Sequence, residues 1–236
     1  MIKKVFKKFL WNNGIVIHRR EPWMENYKWI SDYKIGTIID VGANIGQFIN
    51  WSSATFNNPY IYAFEPIQSV FNQLKVKFGN KDNIELFNYA IGNVSGELNI
   101  NVNENSPSSS ILDLDTKHIE NFNFAVNTKK EVINVRTLDS FYETFNLKSN
   151  LLVKIDVQGF EHNVILGANE ILSLAKVVIV ELSFLSLYKN QLLFDDVAIM
   201  LRDLGFRYKG NLEDQSRDKE SGAPMFVDAV FVNEFI

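Results

Sequence analysis

Five short runs of β-branched and aromatic residues punctuate the chain: Thr37 to Val41, Tyr60 to Glu65, Ile84 to Tyr89, Leu151 to Asp156 and Val177 to Leu182. Each is too continuously apolar to alternate between a wet and a dry face, which predicts strands buried on both sides in a parallel sheet. Parallel strands need crossovers. Stretches with helical spacing lie at Ile45 to Ser53, Gln68 to Phe78, Glu161 to Leu172 and Asp195 to Leu204, the last two stopped by Ser173 and Gly205. Two further segments, Gly96 to Val102 and Lys130 to Val135, do alternate and predict extra strands around a polar loop, Asn103 to Asn127, with Pro107 and three consecutive serines. A long loop over an α/β scaffold is expected to serve as a substrate lid. Gly205 to Gly210 and Met225 to Val232 predict a closing strand pair, the last strand antiparallel to the rest. The expected fold is α/β and Rossmann-like: a central, mostly parallel sheet with helices on both faces and an antiparallel C-terminal strand. Residues 1–33, interrupted by Pro22 and Trp23, are expected to form a helical or irregular extension ahead of one domain over residues 34–236.

Composition narrows the function classes. A chain of 236 residues, 46% hydrophobic, can bury one substantial core and has no room for two full-sized domains. The longest apolar stretches fall far short of the roughly 20 residues that span a bilayer. A net charge of -4 gives no field to gather a polyanion, so nucleic acid is not an expected partner. The chain has no cysteine, which excludes disulfides, thiolate metal sites and cysteine nucleophiles. No secretory pattern opens the sequence, and a cytoplasmic location is expected. The first residues place Lys3, Lys4, Lys7 and Lys8 on one side of a notional helix and Ile2, Val5, Phe6 and Phe9 on the other. Such a segment can rest on an anionic membrane surface, or pack its apolar face on the domain or on a second subunit in a homodimer.

The chemistry begins where the first strand ends. Asp40-Val41-Gly42-Ala43-Asn44-Ile45-Gly46-Gln47 runs from an apolar strand through a glycine-bearing turn into a helix. Gly42 permits close approach of a ligand, and Gly46 lets the next helix pack closely. Asp40 places a carboxylate where the α-ammonium of a methionine-derived cofactor can be held, and where a pyrophosphate would be repelled. Nineteen residues after Gly46, the second strand ends in Glu65-Pro66, an acid suited to accept both ribose hydroxyls of an adenosine. The turn departs from the G-x-G-x-x-G spacing of nicotinamide enzymes, the competing reading of such a strand, turn and acid. A non-catalytic cofactor-binding module is the third. Ala90, after the third strand, is expected to face the adenine edge.

Leu151 to Glu161 places Asp156, Gln158 and Gly159 at the carboxyl edge of a further strand, where open α/β sheets collect ligands. An alcohol acceptor attacking a methyl sulfonium must lose a proton, and Asp156 is the first candidate to receive it. His162, just inside the next helix, and His118, in the polar loop, are alternative bases. Glu181, ending the fifth strand, can flank the substrate with Asp156 or hold a divalent ion, although substrate hydroxyls account for the pair equally well. No metal is assigned.

These residues resemble the FkbM-type methyltransferases, a branch of the class I S-adenosylmethionine enzymes. The resemblance rests on Asp40-Val41-Gly42-Ala43-Asn44-Ile45-Gly46, Phe64-Glu65-Pro66, Ser108-Ser109-Ser110, Thr137-Leu138-Asp139-Ser140, and above all Lys154-Ile155-Asp156-Val157-Gln158-Gly159-Phe160-Glu161 followed by Gly167-Ala168. It covers about Thr37 to Val232. It implies a Rossmann-like methyltransferase fold, S-adenosyl-L-methionine as cofactor, and O-methylation of a sugar, glycan or secondary-metabolite hydroxyl. Cofactor contacts are expected from Asp40, Gly42, Ala43, Asn44, Gly46, Gln47, Glu65, Pro66, Ala90 and Asp156. The acceptor is expected beside Ser109, Ser110, His118 and Gln158.

Overall fold

The computed structural model describes residues 28–103, 109–122, 128–147, 150–212 and 216–236. Five strands run parallel at the centre of the main sheet: β1 (Thr37–Val41), β2 (Tyr60–Phe64), β3 (Ile84–Phe87), β7 (Leu151–Ile155) and β8 (Ala175–Ser183). A second, three-stranded sheet joins β4 (Ala90–Ile91), β5 (Gly96–Asn103) and β6 (Thr128–Arg136), with β6 in the middle. The C-terminal strands β9 (Phe206–Asn211), β10 (Ser216–Arg217) and β11 (Pro224–Asn233) complete the main sheet. Its order is β3-β2-β1-β7-β8-β11, with β9 and β10 both paired to β11. β11 lies antiparallel between β8 and β9, as the sequence pattern predicts.

Four of the five apolar runs form strands for the reason anticipated, with both faces dry; β3, at the edge of the sheet, exposes Glu85. Ile39, Val41, Val153, Ile155, Val178 and Val180 pack on one side against the helices Glu161–Leu166, Asn169–Leu174 and Phe194–Asp203. The alternate residues Ile38, Ile61, Leu152, Val177 and Ile179 pack on the other, against Gln47–Thr55 and Gln68–Phe78. Ile30, fully buried in the short helix Lys28–Ser31, belongs to this second cluster, so the packing of the domain reaches back before Tyr33.

Several boundaries differ from the sequence pattern. The stretch Glu161 to Leu172, expected as one helix, is two, and Gly167 between them sits against the small sheet, where a Cβ would lie 2.0 Å from the Gly92 carbonyl oxygen. Asp139 braces the second of these helices, its carboxylate accepting the N–H groups of Glu170 and Ile171 (3.1 and 3.0 Å) and so satisfying two orphan donors of the first turn. The third strand ends at Phe87 rather than Tyr89. The polar loop is not structureless, since its described part carries the helix Thr116–Asn121, capped by Asp115. The 3₁₀ turns over Leu138–Thr144 lay outside any helical or strand period and were not expected.

Candidate active site

The carboxyl ends of β1 and β2 build one half of the site. Gly42, Asn44 and Gly46 adopt left-handed backbone conformations (φ 84, 49 and 88°) that turn the chain sharply into the helix Gln47–Thr55. A Cβ on Gly46 would meet the Phe78 ring at 2.2 Å, so this glycine serves close helix packing, as expected. Gly42 serves another neighbour: a Cβ there would lie 1.9 Å from the Asp156 carbonyl oxygen, so the missing side chain lets the β1 turn touch the end of β7.

Every amide of this turn already has an acceptor. Gly42 and Ala43 donate to the Phe64 carbonyl (3.0 and 2.9 Å) and Gly46 donates to the Ala43 carbonyl (2.9 Å). Asn44 N–H donates to Glu65 Oε2 (3.0 Å), and Ile45 N–H to Asn44 Oδ1 (2.7 Å). A pyrophosphate is bound by such amides only when they point outward unpaired. The turn therefore offers no anion cradle, which disfavours the nicotinamide reading.

What it offers is acceptor capacity. Glu65, 5% exposed, takes one N–H on each oxygen, from Asn44 and from Ile67 (2.8 Å), leaving about half of its four lone-pair sites for donors such as hydroxyls. Burial pushes its pKa up to about 7, against the pull of those two N–H groups. Asp40 is fully buried, and neither of its oxygens accepts a hydrogen bond among the described residues. Burial raises its pKa to about 6, with Lys154 Nζ at 3.7 Å opposing that rise. Two buried carboxylates with unfilled capacity fit a ligand that brings hydroxyl and ammonium donors. That is the donor set of S-adenosylmethionine.

The other half lies at the ends of β7 and β8. Asp40 and Lys154 are register partners on β1 and β7, and Glu181 and Asp228 on β8 and β11, so the two-residue period carries all four onto the face that holds Ile38, Leu152 and Ile179. Lys154 Nζ sits 3.0 Å from Asp156 Oδ2 and 3.7 Å from Asp40 Oδ1. Burial disfavours its charge, but the two acids more than offset this and hold its pKa above the ordinary lysine value. Gln158, at φ 56°, donates through Nε2 to both Asp156 Oδ1 and Glu181 Oε2, each at 2.8 Å. Its Oε1 accepts from the Tyr188 hydroxyl (2.7 Å), and its carbonyl from the Ser110 hydroxyl (2.5 Å). His118 Nε2 lies 3.4 Å from the same Tyr188 oxygen. The structure thus gathers Ser110, His118, Gln158, Asp156 and Glu181 into one network, and adds Lys154 and Tyr188. Lys154 was visible in the sequence as a lone cation in an apolar run. Tyr188 carried no signal.

Other expected site residues take no part in this hydrogen-bond network. No hydrogen bond joins His162 to the acids among the described residues; its Nε2 faces Asn163 (2.9 Å), and burial lowers its pKa. Ser109 accepts Asn103 N–H (3.0 Å) and closes its own loop. Ala90, in β4, is buried in the core of the small sheet with Ile67, Ile100 and Val135. Ala43 is buried under the turn, Gln47 is exposed, and Pro66 lends its carbonyl to Asn88 (3.0 Å). Ser108 and the lysines at 3, 4, 7 and 8 lie outside the described residues. Among the described residues no cluster of His, Asp and Glu has metal-binding geometry, and no helix is long and apolar enough to cross a membrane.

Glu161, 3% exposed, holds the loop between β7 and its helix by accepting the N–H groups of Val157 and Gly159 (3.2 and 3.0 Å) on one oxygen. Burial raises its pKa to about 7 from 4.5. A carboxyl that holds its proton more tightly in the folded state adds stability below pH 4.5 and loses it as pH climbs towards 7. The stability of the wild type relative to Glu161→Gln is therefore expected to fall between pH 5 and 7, read from urea midpoints of both proteins. A pH-independent difference would show that Glu161 does not titrate in this window.

A family model described as the Methyltransferase FkbM domain matches residues 40–208, which spans the turn, both acid pairs and the Gln158 network. The chain belongs to the FkbM methyltransferase domain family. The 2-O-methyltransferase NoeI of Sinorhizobium fredii is 25% identical over 161 residues, 66% of each chain. Methyltransferase 1 of Beauveria bassiana is 28% identical over 145 residues, 56% of this chain and 58% of that one. The chain thus spans 66% and 58% of the length of these two curated relatives. Among solved structures, an FkbM methyltransferase from Methylobacillus flagellatus overlaps 84% of this chain and 44% of its own, at a TM-score of 0.50 and 13% identity. A putative S-adenosylmethionine-dependent methyltransferase from Listeria monocytogenes overlaps 90% and 98%, at 0.50 and 8% identity. At such identities these likenesses speak for the fold, which is the Rossmann-like one expected of an FkbM domain.

Proposed function

We propose that this FkbM domain transfers a methyl group from S-adenosylmethionine to a hydroxyl of a sugar, glycan or secondary-metabolite acceptor. The observation that carries the cofactor half is the pair of buried carboxylates, Asp40 and Glu65, with unfilled hydrogen-bonding capacity beside a turn whose amides are all engaged. S-adenosylmethionine, when bound, supplies an electrophilic methyl group on a sulfonium. Glu65 accepts the ribose hydroxyls and Asp40 attracts the ammonium group. The wall formed by Asp156, Gln158 and Glu181 then orients an acceptor hydroxyl, and positioning is a large part of what such a displacement requires. The hydroxyl acceptor is supported by that polar wall and by the naming of one relative as a 2-O-methyltransferase.

The test is calorimetric titration with S-adenosylmethionine and with NAD, followed by transfer of labelled methyl to a panel of free sugars and sugar-bearing lipids. Binding of S-adenosylmethionine alone, with label appearing in a base-stable ether, is the expected outcome. Binding of NAD alone would overturn the reading.

A further inference from the structure

Asp156 and Glu181 look alike in sequence, each an acid at the tip of a buried strand, yet their surroundings differ. Asp156 has both oxygens engaged, Oδ2 by the Lys154 ammonium at 3.0 Å and Oδ1 by Gln158 Nε2 at 2.8 Å. Each Asp156 oxygen thus already holds one donor in place. Glu181 receives the other Gln158 hydrogen on Oε2, and its Oε1 takes no hydrogen bond among the described residues. Gln158 cannot reverse its amide without breaking this arrangement, because its Oε1 accepts from Tyr188, whose ring in turn packs on Gly159, where a Cβ would lie 2.8 Å away.

We infer that Glu181, rather than Asp156, takes the proton from the acceptor hydroxyl, and that Gln158 and Tyr188 are positioning residues that keep its second oxygen turned to the acceptor. The inference rests on the methyltransferase reading above. In the step, the hydroxyl proton moves to Glu181 Oε1 and the hydroxyl oxygen bonds to the methyl carbon. The carbon–sulfur bond breaks as its electron pair returns to sulfur, leaving a neutral thioether.

The groups facing Glu181 explain how it becomes competent only when needed. Burial, with Asp156 from β7, Asp228 from β11 and Glu161 from the helix after β7, raises its affinity for a proton, and Lys154 opposes them. A cation arriving beside it favours the ionised form. The sulfonium of S-adenosylmethionine is such a cation, and the thioether of S-adenosylhomocysteine is not. By linkage, the sulfonium compound releases more protons on binding than the thioether does.

That difference is measurable without an acceptor. Calorimetric titrations of both compounds, each in two buffers of different ionisation enthalpy near pH 7.5, give the protons released per binding event. The wild type is expected to release more with S-adenosylmethionine, by some fraction of a proton up to about one. Glu181→Gln is expected to bind both compounds and to lose the difference, while Asp156→Asn, which removes one of the charges that raise the proton affinity of Glu181, keeps part of it. Tyr188→Phe, which frees the Gln158 amide, is expected to shrink it. Equal release from the two compounds in the wild type, or an undiminished difference in Glu181→Gln, overturns the assignment of Glu181. Absence of any binding heat with either compound overturns the cofactor reading instead, so the two failures are distinct.

Discussion

Glu65→Ala is expected to weaken S-adenosylmethionine binding by about 100- to 10,000-fold, because two hydrogen bonds from ribose hydroxyls to a buried carboxylate are worth about 1.5 to 3 kcal/mol each. Adenosine alone should lose affinity by a similar factor, since the lost contacts are to the ribose they share. Glu65→Gln separates the ligand effect from the structural one. Glu65 also receives the N–H groups of Asn44 and Ile67, and glutamine can still accept one of them. An intermediate loss, on the order of tenfold, is expected of that variant. Calorimetry with both ligands on both variants checks the argument, and unchanged dissociation constants for Glu65→Ala would remove Glu65 from the cofactor site.

The second large effect is on stability. Lys154 is 7% exposed and is the cation shared by Asp40 and Asp156. Lys154→Met keeps the apolar stem and removes the charge, leaving two acids at the carboxyl edge of the sheet with no counter-ion. Removing one partner of a buried ion pair costs about 3 to 5 kcal/mol, because the remaining charge stays desolvated. Urea denaturation at pH 7.5 should show a loss of that size. Lowering the pH towards 5 should narrow it, as Asp40, whose pKa burial already raises to about 6, takes up a proton. Sodium chloride should do little to restore the variant, since a buried site is poorly screened. A loss well under 1 kcal/mol would mean that Lys154 is a solvated side chain at the rim.

How much of this could be read from the residues depended on how local the determinant was. β1 and the helix Gln68–Phe78 match their predicted bounds because apolar continuity and helical period are local properties. Gly167 is the opposite case. Its close packing is against the Gly92 carbonyl, a neighbour 75 residues away that no period reports. Ala90 likewise was expected at the adenine edge, because the pattern cannot say which sheet an apolar pair joins. In the site, Asp40, Glu65, Asp156 and Glu181 were legible because strand ends mark where ligands gather in α/β sheets. Their division of labour was not. That depends on which acid lies near Lys154 and which way the Gln158 amide faces, and the latter depends on Tyr188, thirty residues further along the chain.

The placement of β11 bears on how the polypeptide reaches this state. β8 pairs on one side with β7 and on the other with β11, whose residues follow it by more than forty positions. Until residues 224–233 have emerged from the ribosome, the apolar run Val177–Leu182 has an open flank with unpaired peptide groups, the kind of template to which another nascent chain adds. Yield of native protein should therefore depend on how quickly that late strand arrives and on chaperone capacity while it is awaited, even where the finished fold is stable.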